Sequence, residues 1–154
     1  MRADEFAGYV AYFVPDYAAE ISSNYDVDMK TAHARAESAV EVDLGMGVET
    51  PGQDLLCATV EGDKSDNPVG YLWCKPHSKQ KSAFISDFCI LPKYRGRGYG
   101  QSALKALEKR YFDTGYGEIR LRVATDNKTA ERMYLKAGYL PTGTNMRRAI
   151  GNKS

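Results

Sequence analysis

Arg95-Gly96-Arg97-Gly98-Tyr99-Gly100 is the segment with the clearest chemical potential. An apolar run ends at Leu91-Pro92, a glycine-rich turn follows, and a helical pattern opens at about Tyr99. At such a junction the turn amides and the first free N–H groups of the helix can point into one concavity. Oriented dipoles and partial positive charge then favour a pyrophosphate there. Glycine at 96, 98 and 100 lets the main chain approach phosphate oxygens without a Cβ in the way. Lys93, Arg95 and Arg97 add a local positive field. Without a ligand, the same residues make an ordinary glycine-rich turn with solvated arginines. GxxxxGK[ST] is absent, which excludes a P-loop. Ala103 after Gly100 fits a dinucleotide fingerprint poorly.

The elements that must position this turn follow from periodicity. Phe6, Tyr9, Val10 and Phe13 recur at helical spacing. Pro15 either breaks that helix or starts a second one carrying Tyr17, Ala18 and Ile21. Asp28 is placed to cap a helix reaching about Leu44, with Ala32, Ala36, Ala39 and Val40 inward. The middle reads as a meander: residues 54–60, a polar turn, 69–74, a loop at 75–81, and 83–91. A helix over 99–114 follows, with Leu104, Leu107 and Tyr111 on one face. Then come a half-buried strand over 118–124, a helix over 127–137 ended by Gly138, and a terminal strand or strand pair over 139–150. This order predicts an α/β domain with a mixed sheet.

Length and composition agree. The chain has 154 residues, short enough for one domain and long enough to bury most of its unfolded surface. A net charge of +1 gives no field to draw nucleic acid or an anionic membrane. No run approaches the ~20 apolar residues of a membrane span, and the N-terminus does not read as a signal peptide. Cys57, Cys74 and Cys89 are odd in number, lie in predicted strands and show no CxxC spacing. Buried thiols in a reducing cytoplasm are expected, with no disulfide framework and no zinc site. His33 and His77 lack catalytic neighbours and read as surface residues.

Two segments together resemble a known superfamily. Arg95-x-x-Gly98-x-Gly100 after Phe88-Cys89-Ile90-Leu91-Pro92 resembles the acetyl-CoA signature of the GNAT N-acetyltransferases. Leu121-Arg122-Val123, then Asn127, Ala130, Tyr134 and Gly138-Tyr139, is similar to the superfamily's second signature. The likeness covers about residues 54–150. It implies a largely antiparallel central sheet flanked by helices, the acyl-CoA N-acyltransferase fold. That fold usually opens with a strand, whereas helical spacing here begins at Phe6. The activity implied is acetyl transfer from acetyl-CoA to a primary amine in a ternary complex. A non-catalytic CoA-binding module is the alternative.

Site residues follow from the resemblance. The backbone of Cys89 and Ile90 would pair with the pantetheine arm. The amides of Arg95, Gly96, Arg97, Gly98, Tyr99 and Gly100, with Gln101 opening the helix, would hold the pyrophosphate. Tyr134 matches the position of a general acid for the CoA thiolate; a packed core tyrosine is the other reading. Asn127 either caps its helix or also touches the pantetheine. The attacking amine must be neutral, so a base is expected. Asp87, a carboxylate interrupting an apolar run, is the candidate; burial would raise its pKa. Pairing with a basic neighbour is its alternative. Glu49, between Gly47 and Gly52, is the second carboxylate to test. No cysteine or serine has an activating partner, which favours direct attack over an acyl-enzyme. The partner expected is a small-molecule or peptide amine, with a homodimer as the common oligomer.

Overall fold

The computed structural model describes residues 1–63, 67–148 and 150. A 3-10 turn, Ala3–Glu5, leads directly into helix α1, Phe6–Tyr25. Among the described residues no strand precedes α1. The Met1 ammonium instead donates to the Leu55 carbonyl at 3.0 Å. α1 buries Tyr9, Phe13, Val14, Ala18 and Ile21 along one stripe. Asp26, in the left-handed region at φ 56°, ends it, its amide donating to the Ser22 carbonyl. Pro15 neither breaks the helix nor starts a new one; it lies inside α1, exposed. The missing N–H removes one bond, and the buried stripe on both sides of it carries the helix across.

Helix α2, Met29–Asp43, begins where the sequence places it. The Asp28 carboxylate caps it, accepting from the Thr31 amide at 3.0 Å and the Thr31 hydroxyl at 2.6 Å. Ala32 and Ala36 are fully buried, and their small size lets α2 lie close on α1.

The sheet has four strands in the order β1 Asp54–Ala58, β2 Gly70–His77, β3 Ser82–Ile90 and β4 Glu118–Leu121. β1–β2 and β2–β3 are antiparallel, and β3–β4 is parallel. Helix α3, Tyr99–Asp113, makes the crossover to β4; helix α4, Lys128–Lys136, follows. The sheet is therefore mixed and largely antiparallel, as expected. Tyr71 and Trp73 pack toward α1 and α2, while Leu72 and Cys74 pack with Leu104, Leu107 and Tyr111 of α3. Burial on both faces explains why residues 70–74 read as a continuous apolar run.

Several boundaries differ from the sequence reading. β2 runs through residues 75–77, where a loop is predicted. β1 ends its pairing at Cys74, so Pro76 sits where β2 has no neighbour on that side and its missing N–H breaks no ladder. β4 stops at Leu121 rather than residue 124. The predicted strand over 139–150 does not form among the described residues there. Pro141 cannot donate to a ladder, and residues 142–145 offer no apolar alternation. Tyr139 turns inward, its ring 5.6 Å from that of Tyr134, while Leu140 and Met146 stay exposed.

One irregularity shapes the site. Trp73 pairs with Asp87 and Cys74 with Ile85, leaving Ser86 as an extra residue on β3. The bulge adjoins the last pair of β3 with β4, Ile85↔Leu121. Residues 86–90 therefore continue without β4 beside them, and the sheet opens there.

Candidate active site

The opened sheet leads to the glycine-rich junction. Past β3, a 3-10 turn, Pro92–Tyr94, is closed by the Arg95 amide on the Pro92 carbonyl at 3.2 Å. Gly96 and Gly98 adopt φ 73° and 82°, the left-handed region that costs a side-chain-bearing residue about 1–2 kcal/mol. Gly98 is the N-cap of α3, and its carbonyl accepts from the Ser102 amide at 3.1 Å. Among the described residues, the amides of Gly96, Arg97, Gly98, Tyr99, Gly100 and Gln101 donate to no internal acceptor. Six such donors at and just before the positive end of a fifteen-residue helix can together receive an anion. Unpaired amides of this kind suit a pyrophosphate.

Neighbouring residues hold this junction. Arg95 Nε donates to the Ile90 carbonyl at 2.8 Å, tying the turn back to β3 and occupying one group expected to meet the pantetheine. Tyr94 and Tyr99 meet edge to face at 6.2 Å. A Cβ at Gly100 would stand 2.6 Å from Met133 Sδ, so glycine there lets α4 close on the first turn of α3. Arg97 is exposed at the rim.

Asp87 lies on the α1 face of β3, half-buried. Its Oδ2 accepts from the Tyr9 hydroxyl at 3.2 Å. Loss of hydration pushes the carboxyl up to about 7; the Tyr9 bond opposes this, and the charges of Asp16 and Glu20 add to it. Asp87 is thus poised to exchange a proton near neutrality. Tyr134, on α4, is also half-buried. Burial first, then the Asp87 and Cys74 charges, hold its proton on well above the ordinary phenol range. The two residues named from sequence for base and acid are therefore electrostatically coupled, although they lie 47 positions apart.

The remaining expectations divide. Cys89 is buried, burial pushing its thiol up to about 11. Asn127 caps α4, its Oδ1 accepting from the Ala130 amide at 3.1 Å. Glu49 is exposed in the 3-10 turn Gly47–Glu49, its carboxylate making no hydrogen bond or ion pair among the described residues. The sequence reading missed Tyr9, Tyr12, Asp16 and Glu20, one polar edge along α1 facing Asp87. Their spacing of three to four was visible, but Tyr9 reads as a core residue at that period. Among the described residues no group of three His, Cys, Asp or Glu side chains is arranged to hold a metal.

The sequence model of the Acetyltransferase (GNAT) family matches residues 23–139. The chain belongs to the GNAT acetyltransferase family. It is 30% identical over 152 residues to the uncharacterized N-acetyltransferase YycN of Bacillus subtilis (strain 168), covering 97% of this chain and 96% of YycN. The crystal structure of YycN superimposes with a TM-score of 0.88 at 28% identity, covering 99% of this chain and 96% of that one. The thialysine N-epsilon-acetyltransferase of Bos taurus is 31% identical over 110 residues, 67% of this chain and 64% of the relative. As a GNAT acetyltransferase, the protein is an enzyme of acyl transfer, and its family draws acetyl from acetyl-CoA. Among the described residues no helix is long and apolar enough to cross a membrane.

Proposed function

We propose that this chain, as one domain, transfers an acetyl group from acetyl-CoA to a primary amine by direct attack within a ternary complex. The observation that carries the reading is the row of six free amides at the start of α3, continuous with the opened edge of β3 beside Asp87. Acetyl-CoA, when bound, supplies an activated thioester carbonyl. The amides of residues 96–101 hold its pyrophosphate, and the edge of residues 86–90 that β4 leaves unpaired, apart from the Ile90 carbonyl taken by Arg95, orients the arm that leads inward. Asp87 accepts a proton from the acceptor nitrogen as the N–C bond forms, directly or through water. Tyr134 donates to the sulfur as the C–S bond breaks, so that CoA leaves as a thiol. Its tightly held proton makes Tyr134 a hydrogen-bond donor first and an acid only as the thiolate develops.

The test is thiol release from acetyl-CoA across an amine panel: diamines, aminoglycosides, peptide N-termini, lysine and thialysine. The name of the bovine relative is a reason to include the last two. Tyr134→Phe is expected to lower turnover on the order of tenfold to a hundredfold with CoA affinity unchanged. Equal turnover would remove Tyr134 from the chemistry. CoA binding without thiol release on any amine would point instead to a binding module.

A further inference from the structure

We infer that Tyr9 is a positioning residue for this reaction, its hydroxyl turning the Asp87 carboxylate toward the acceptor amine and holding it as the anion. The inference rests on the reading of Asp87 as the base. Tyr9 is fully buried, its ring packed 5.5 Å from Tyr71 and 5.6 Å from Phe13. Phenylalanine would fill this place without a hydroxyl to satisfy, and a phenol in an apolar cluster is costly unless bonded. Its partner is Asp87 Oδ2 at 3.2 Å. The β3 bulge, which inserts Ser86, sets Asp87 opposite Trp73 and so on the face of α1. Helix and bulge together create the bond, and it occupies one carboxylate oxygen from the side away from solvent.

The groups that bear on Asp87 are Tyr9, Tyr12, Asp16 and Glu20 from α1 and Cys89 on β3, with Cys74 from β2 and Tyr134 from α4 acting from the cluster under α3. Asp16 and Glu20 favour its protonated form, Glu20 less than it would alone because Arg122 pairs with it at 3.1 Å. Tyr9 favours the anion, helped by the Phe88 amide. Burial and the Asp87 charge hold the Tyr9 proton firmly, so Tyr9 donates and does not itself act as a base.

Tyr9→Phe removes the hydroxyl and keeps the ring. A hydrogen bond to a charged group supports an upward shift of about one pH unit in Asp87 when it is lost. The acid limb of kcat/KM should move up by that amount. The rate at pH 7 should fall about fivefold and recover toward the parent value above pH 9, with folding checked by the amide spectrum. The carboxyl carbon of Asp87, assigned through Asp87→Asn, should titrate at correspondingly higher pH in Tyr9→Phe. An unmoved limb with a uniform loss at every pH, or an unmoved carboxyl titration, would overturn the inference. If Asp87→Asn keeps the parent rate while the titration still moves, the base reading falls and the Tyr9 bond stands.

Discussion

A carboxylate held partly out of water keeps its proton more tightly than one in solution, and at Asp87, the proposed base, this bears on stability as well. Its folded pKa of about 7 lies above the ~3.9 of an unfolded aspartate. Between those values the folded chain keeps the proton that the unfolded chain has lost. Stability therefore falls as pH rises from about 4 to about 7, then levels off. Asp87→Asn removes the buried charge. It should raise Tm at pH 8 by about 2–4 °C, a gain of roughly 1 kcal/mol, and leave it nearly unchanged at pH 4. The same variant should lose on the order of a hundredfold in turnover. A stabilised but inactive variant is the signature expected of strain kept for function; equal Tm at pH 8 would argue that the carboxylate is better solvated than the structure indicates.

At the scale of elements, the binding proposed for the junction between β3 and α3 rests on backbone alone. A Cβ on Gly96 or Gly98 would meet nothing within 4 Å. Substitution there acts through the dihedral angle, not through a clash. Gly98→Ala should cost about 1–2 kcal/mol of stability through its φ of 82°. As the N-cap relaxes, the amides turn from their common focus, and CoA affinity by calorimetry should fall at least about tenfold. Unchanged affinity would mean that the pyrophosphate lies elsewhere. Gly100 differs, because a Cβ there meets Met133 at 2.6 Å and tests the closure of α4 instead.

For the whole molecule, two apolar clusters clasp the sheet, one under α1 and α2, the other under α3. The proposed site uses both: Tyr9 and Asp87 face the first, Tyr134 packs against the second. A ligand spanning the opened sheet would therefore join the two halves. At a hundred times its Kd, CoA should stabilise the folded state by about 2.7 kcal/mol, a rise in Tm of about 5–10 °C. A shift absent at millimolar CoA would count against the junction as a binding site.

From sequence alone, the glycine-rich turn, its flanking strand and helix, the Asp28 cap and the inward faces of α2 and α3 were legible. Each depends on spacing within a dozen residues, and local spacing sets local structure. Asp87 was nameable for the same reason, as a carboxylate interrupting an apolar run, whereas Tyr134 was nameable only through the resemblance to the GNAT family's second signature. The continuation of α1 through Pro15, the extension of β2 through Pro76 and the absence of a strand in the described part of 139–150 were not legible. Each depends on a neighbour far along the chain that supplies or withholds burial or a ladder partner. Tyr9 belongs to this second group. Its bond to Asp87 spans 78 residues and exists because a bulge places that carboxylate against α1. Residue types set which groups are available for chemistry; tertiary packing alone decides which of them meet, since burial and long-range contact are what shift a proton and orient a side chain.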